Sequence, residues 1–131
     1  MGIQKRRNQN CVEVYSYWKQ WPCYLPQHDL GKKHERRITL TDWQRTLVER
    51  WPRQILRGLI HSDGCRFTNT GRGNWTCPRY AFYQVSTDIQ EIFCYACDQL
   101  GVHWTKSGER TIYVSRKADV ATLDTFIGPK C

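Results

Sequence analysis

The sequence predicts a mixed α+β domain in which helices alternate with hairpins in the order α-β-β-α-β-β-α. Three observations predict it. Two capping-box pairs, Thr41 with Gln44 and Thr87 with Gln90, mark helix starts. Two runs rich in β-branched and aromatic residues turn back on themselves, one at Gly71 and Gly73 and one at Ser107-Gly108. The stripe Ile89, Ile92, Phe93, Ala96, Cys97 and Leu100 has the spacing of a helix with one buried face.

Taken in order, residues 1–10 (MGIQKRRNQN) read as a polar basic arm. Residues 11–38 set Tyr15, Tyr17, Trp18, Trp21 and Tyr24 among Pro22, Pro26 and basic side chains, and no period dominates. They read as an irregular lobe with room for one short strand or helical turn, fastened to the core by its aromatics. The division is therefore a basic, aromatic-rich extension over 1–38 and a domain over 39–131. The first helix of that domain runs from Thr41 to Arg50. Trp51-Pro52 interrupts it, because the proline ring disfavours helical geometry at the residue before it. Pro52 then suits the first turn of a second helix, Arg53 to Ser62, which Gly64 ends. A hairpin follows over 65–86, and the next helix stops at Gly101. A second hairpin pairs 102–106 with 110–116, and a last helix spans Ala118 to Phe126. The unit is not repeated within the chain.

The length of 131 residues fits one compact domain, and 40% hydrophobic with 24% charged residues favours a packed core over disorder. No apolar stretch approaches the roughly 20 residues of a membrane span. The N-terminus lacks the apolar segment of a secretory signal, so the expected setting is a reducing cytoplasm with no membrane partner. Seven cysteines, an odd number, argue against a disulfide scaffold. Cys94 and Cys97 form a CxxC pair inside an amphipathic helix with no second pair, which favours packing. Cys11, Cys23, His28 and His34 offer zinc-ligand chemistry, but their spacing lacks a close cysteine pair. A loop laid on phosphates by Lys32, Lys33, His34 and Arg36 is the favoured reading of that stretch. No GxSxG, Walker or dinucleotide-binding pattern is present, so acyl transfer, nucleotide hydrolysis and hydride transfer have no support.

The formal charge is +8, from 20 Lys/Arg against 12 Asp/Glu. Residues 1–37 hold eight basic against three acidic side chains (+5), and residues 38–131 hold twelve against nine (+3). Such an excess favours a polyanionic partner, because each cation that neutralises a phosphate releases condensed counterions.

The chemistry concentrates in Leu56-Arg57-Gly58-Leu59-Ile60-His61-Ser62-Asp63-Gly64. Gly58 lets another helix approach closely, and Leu56, Leu59 and Ile60 supply an apolar seam. Asp63 sits at the C-terminal end of the helix, where its carboxylate and helix-end carbonyls such as that of Ser62 can hold a hard divalent cation. This nonamer resembles the motif of the LAGLIDADG homing endonucleases. Leu56, Gly58, Leu59, Ile60, Asp63 and Gly64 match it, and His61 stands where the family has the first of two acids.

The resemblance covers about residues 53–131 and implies an αββαββα half-domain whose antiparallel sheet is saddle-shaped, with the concave face in a DNA major groove. A single motif implies a homodimer with an isologous interface through Leu56, Gly58 and Leu59. It implies a sequence-specific double-stranded DNA endonuclease acting with Mg²⁺ (Mn²⁺ or Ca²⁺ in its place in crystals) on a pseudo-palindromic site. Asp63 and the Ser62 carbonyl are the implied metal ligands, Asp63 the catalytic acid, and Lys130 the active-site lysine that follows the last helix. Gln84, Thr87 and Arg116 are further candidates for ordering water or phosphate. Strand alternation then assigns Cys65, Phe67, Ala81, Tyr83 and Val85 to the core. It assigns Arg66, Thr68, Tyr80, Phe82 and Gln84 to the DNA, with Arg72, Arg79, Lys106, Arg110 and Arg116 beside them. Gln84 suits adenine, and Arg66 or Arg72 guanine or phosphate. The alternative is a DNA-binding transcriptional regulator that keeps the fold without cleavage.

Overall fold

A computed structural model of the chain describes residues 1–7, 11–25, 27, 30–32 and 34–129. Contacts within the chain divide it into two compact units, Met1–Gly31 and Lys32–Cys131. In the first unit, β1 (Gly2–Lys5) and β2 (Val12–Tyr15) pair antiparallel, with Ile3 opposite Val14. Gly2–Lys5, part of what the sequence reads as a polar basic arm, is thus a strand. A short helix, α1 (Trp21–Tyr24), follows with Pro22 in its first turn, where a missing N–H costs nothing. The aromatics of this unit pack on one another. Trp18 stacks on Tyr24 with centroids 5.2 Å apart and meets Trp21 edge-on at 5.4 Å. Cys11 and Cys23 are exposed here. The zinc set that would join them to His34 also needs His28, which lies outside the described residues.

The second unit contains α2 (Asp42–Arg50), α3 (Pro52–Asp63), β3 (Gly64–Thr70), β4 (Thr76–Tyr83), α4 (Thr87–Gln99), β5 (Thr105–Ser107), β6 (Thr111–Val114) and α5 (Lys117–Asp124). From Pro52 onward this is the expected α-β-β-α-β-β-α order, and the class is α+β. The Thr41 N–H donates to Gln44 Oε1 at 3.0 Å, closing one half of the first capping box. The second box forms differently. The cap of α4 is Ser86, whose hydroxyl accepts from the Ile89 N–H, and Gln90 turns inward to other partners.

The four strands form one antiparallel sheet in the order β3-β4-β6-β5. Its core face carries Tyr80 and Phe82 of β4 and Ile112 and Val114 of β6, all buried. They pack with Leu56 and Ile60 of α3, Phe93, Ala96 and Cys97 of α4, and Val120, Leu123 and Ile127. Phe82 and Phe93 stack at 4.4 Å with their rings 9° apart. Burial holds the Cys97 thiol well above its usual range and pushes Cys94 up to about 11, and Cys97 packs in the core with Cys94 against it.

The strand alternation is one residue out of phase with the sequence reading. Tyr80 and Phe82, at 2% and 0% exposure, belong to the core and not to a DNA-facing surface. Pairing puts Arg66 opposite Tyr80 and Lys106 opposite Ile112, so both lie on the helix side, and Thr68 shares that side two residues along. The opposite face carries Cys65, Phe67, Arg79, Ala81, Tyr83, Thr111 and Tyr113. Cys65 and Tyr83, assigned to the core from sequence, are exposed there. Both parities of the segment TyrAlaPheTyrGlnVal hold apolar side chains, so period alone did not decide between them.

Candidate active site

Asp63 is the last residue of α3 and is exposed. The chain passes from α3 into β3 without a loop, and Gly64 makes that possible. A Cβ at Gly64 would lie 2.8 Å from Ile60 Cα and 3.0 Å from its carbonyl oxygen. These are backbone atoms, which cannot swing aside, so any larger residue would push the strand off the helix end.

Among the described residues, two side chains hydrogen-bond with the Asp63 carboxylate. Ser62 Oγ is 3.1 Å from Oδ2 and 2.9 Å from the Leu59 carbonyl, and its single proton serves one of them at a time. Gln84 Nε2 donates to Asp63 Oδ2 at 3.3 Å. The orientation of this amide follows from its other end, where Gln84 Oε1 accepts the N–H groups of Val85 at 2.9 Å and Ser86 at 3.2 Å. An oxygen engaged by two backbone donors leaves the NH₂ pointing at the carboxylate.

Gln84 is itself held at the end of β4. Its N–H donates to the Arg110 carbonyl at 2.9 Å, and its carbonyl accepts from Gln90 Nε2 at 2.7 Å. Gln90 also donates to the Glu109 carbonyl at 2.9 Å. This buried amide therefore clips the end of β4 to the β5–β6 turn. Asp63, Gln84 and Arg110 thus gather at one end of the sheet, away from the β3–β4 turn that carries Arg72. On the face opposite the core, Arg110 Nη1 donates to the Tyr83 hydroxyl at 3.4 Å, and the Phe67 and Tyr113 rings meet at 6.3 Å. Arg79 lies on that face, half-buried, and its Nε is shut off from solvent without a hydrogen-bond partner among the described residues.

The Asp63 donor set is oxygen-only, which suits a hard cation such as Mg²⁺. It is also small: among the described residues no three His, Cys, Asp or Glu side chains converge on one point. Among the described residues, one chain contributes one carboxylate at the end of its motif helix. The residues fit a divalent ion whose coordination is completed from outside the chain.

The remaining sequence-derived residues divide plainly. Leu56 is 0% exposed and points into its own core, so it is removed from any subunit seam; Ile60 at 2% is too. Gly58 is exposed, and a Cβ there would meet nothing within 4 Å. It lies with half-buried Leu59 in an apolar groove of about 450 Å³ bordered by Trp43, Leu47 and Ile55. Arg66 forms a two-point pair with Asp124, Nε–Oδ1 2.7 Å and Nη2–Oδ2 3.0 Å, and Tyr80 donates to the same Oδ1 at 2.5 Å. The Arg66 guanidinium, more than the Tyr80 hydroxyl, holds the Asp124 carboxyl below its usual range. Arg66 is thus engaged structurally. Arg72 and Arg116 are exposed, as are Lys32 and His34, while Arg36 is half-buried. Lys33 and Lys130 lie outside the described residues. His61 donates from Nε2 to the Ile127 carbonyl at 2.8 Å, across 66 residues of sequence. Sequence reasoning missed Gln90, Asp124, Tyr113 and the fixed orientation of Gln84; a hydrophilic residue inside an apolar helical stripe, as Gln90 is, was the available signal.

No protein-family model matches the chain, and no curated protein matches it significantly. Among solved structures, the chain is similar to I-DmoI in complex with DNA and Ca, at 23% identity and TM-score 0.43 over 60% of this chain and 46% of that one. It is similar to I-DmoI in complex with DNA and Mn at 23% identity and TM-score 0.44, over 60% of this chain and 49% of that one. The chain spans about half the length of those proteins. Similarity at this level carries no activity over to it.

Proposed function

We propose that this chain is a LAGLIDADG-type, divalent-metal-dependent DNA endonuclease that works as a homodimer. The observation that carries the reading is Asp63. It is an exposed carboxylate at the end of the motif helix, with an amide of fixed orientation held on it, at the end of a sheet whose outer face bears Arg79, Tyr83 and Arg110. Asp63 and the helix-end carbonyl of Ser62 would hold the metal. When bound, such an ion lowers the pKa of an attacking water and stabilises the leaving oxygen of a phosphodiester.

The protein's own part is positioning. Gln84 and Ser62 hold the Asp63 carboxylate in one rotamer, so it need not reorganise when it takes up a ligand. The guanidinium groups of half-buried Arg79 and exposed Arg110 suit phosphate or base acceptors of a duplex laid across the outer face. Lys130, a few residues beyond α5, would donate to the phosphate oxygens as negative charge develops. A single carboxylate per chain supports a partnership in which two copies bring their Asp63 residues together. The exposed Gly58 groove supports the same arrangement, since an uncovered apolar groove beside a side-chain-free helix position favours a second helix.

The test is Asp63→Asn. A plasmid library with a randomised insert, incubated with parent protein and Mg²⁺, is expected to yield linearised molecules that share a site. The Asp63→Asn protein should bind those molecules within about twofold of the parent and cut them at least ~100-fold more slowly, in line with losing a metal-binding group. Cleavage by the variant at the parental rate would remove Asp63 from the chemistry. Binding by both proteins with cutting by neither would leave the fold a DNA-binding regulator.

A further inference from the structure

We infer that Gln90 is a positioning residue for Asp63: it fixes the Gln84–Val85 peptide, and that peptide aims the Gln84 amide at the carboxylate. The consequence for cleavage rests on the nuclease reading above, but the series of contacts does not.

Gln90 lies near the start of α4, and its N–H donates to the carbonyl of the cap residue, Ser86, at 3.1 Å. A helical side chain leans back towards the helix N-terminus, so Gln90 reaches over the connection from β4. There it is 3% exposed, and its Nε2 donates to two carbonyls, that of Gln84 at 2.7 Å and that of Glu109 at 2.9 Å. The nitrogen has to face them, since the amide oxygen in its place would set three acceptors together. Serving two carbonyls from one uncharged atom needs an NH₂ group. An ammonium or guanidinium would bring a charge into the core, and a carboxylate could not donate at all.

The ladder between β4 and β6 ends at the pair Tyr83–Thr111. Gln84 adds one bond beyond it, from its N–H to the Arg110 carbonyl at 2.9 Å. Its own carbonyl is then taken by Gln90. Holding that carbonyl sets the plane of the Gln84–Val85 peptide, because the C=O and N–H of one peptide are coplanar. The N–H of the same peptide belongs to Val85, and it donates to Gln84 Oε1 at 2.9 Å. The Gln84 side chain is thus oriented by a donor whose direction Gln90 sets, and its Nε2 meets Asp63 Oδ2 at 3.3 Å. The same Gln90 nitrogen ties down Glu109, next to Arg110, so one group holds both the β5–β6 turn and the amide on Asp63. Without it the peptide can turn over, the Val85 N–H leaves Gln84 Oε1, and the Gln84 side chain can swing off the carboxylate.

Two substitutions separate this role from simple packing. Gln90→Met removes the donors and keeps an unbranched side chain. Gln90→Asn keeps a buried amide but, one methylene shorter, reaches at most one of the two carbonyls. Backbone amide exchange of the full chain is measured first, without DNA. Val85 and Ser86, the two donors to Gln84 Oε1, should exchange about tenfold faster in Gln90→Met and roughly threefold faster in Gln90→Asn. The amides of Phe93 and Ala96, further along α4, should stay within about twofold of the parent, which a general loosening of the helix would not allow. Single-turnover cutting of the selected plasmid comes second. Gln90→Met should slow it about tenfold with DNA affinity within about twofold. In a Gln84→Ala background the same substitution should cost less than about twofold, since a residue acting through Gln84 has nothing left to act on. Unchanged exchange at Val85 and Ser86 in both variants, quickening spread evenly through α4, or loss of the fold in both overturns the proposal. So does a cleavage defect of equal size with and without Gln84. If the parent itself does not cut, the nuclease reading fails, and the exchange pattern alone decides whether Gln90 orients the Gln84 amide.

Discussion

Arg66, Asp124 and Tyr80 show how much a single side chain's fate depends on which face of a strand it occupies. From sequence, Arg66 is a surface cation suited to DNA; in the fold it is drawn to the α5 side, where Asp124 takes both arms of its guanidinium. Asp124 is held below its ordinary value, first by Arg66 and then by Tyr80. A carboxyl with a depressed folded-state pKa contributes stability that is fully present above its unfolded value of about 4 and disappears as pH falls through the lower folded value. Asp124→Asn should therefore lower Tm relative to the parent above about pH 5, and the gap should narrow steadily on acidification below about pH 4. Melting curves across that range check it. A gap independent of pH would mean that the contact acts by packing and not by charge. The pair is partly solvated, so the expected gap is modest.

At the scale of elements, capping residues, the Trp51-Pro52 break and two glycine-bearing turns made every helix and strand from Asp42 onward legible, because each is a local instruction. The motif's chemistry at Asp63 was legible for the same reason. The face presented by each strand was not, since it is decided by partners far away: Phe82 takes the inner side because Phe93 offers a ring to stack on. The seam on α3 suffered likewise. Leu56 and Gly58 are neighbours in the motif, yet 100° per residue turns Leu56 into the core and leaves Gly58 outside. This yields a prediction with two opposed signs. Glycine in a helix interior is less favourable than leucine by roughly 0.8 kcal/mol, and no neighbour stands within 4 Å of the added Cβ. Gly58→Leu should raise Tm by a few degrees in dilute solution while weakening self-association on DNA, read by sedimentation of the complex. A fall in Tm would mean that the groove is already filled within the chain. Unimpaired association would place the subunit contact on another surface.

For the whole molecule, the decisive quantity is what one chain lacks. It carries an excess of eight positive charges, enough to hold a duplex by counterion release, but a single carboxylate at the end of the motif helix. A duplex has two strands of opposite polarity, related locally by two-fold axes, so two identical chains can meet both strands equivalently only if they share such an axis. The DNA sequence they prefer must then carry that symmetry. Repeated selection from duplexes with a randomised centre, using Asp63→Asn protein so that bound molecules survive, should converge on an inverted repeat. Each half would be contacted by one sheet face, and native mass measurement should find two chains per duplex. Replacing Arg79 by alanine in the selected complex should alter preference at symmetry-related positions in both halves, by about 1–3 kcal/mol at each if it reads a base. A converged sequence without inverted symmetry, or one chain per duplex, would separate the motif helix from dimerisation and leave Asp63 to find its remaining ligands in some other way.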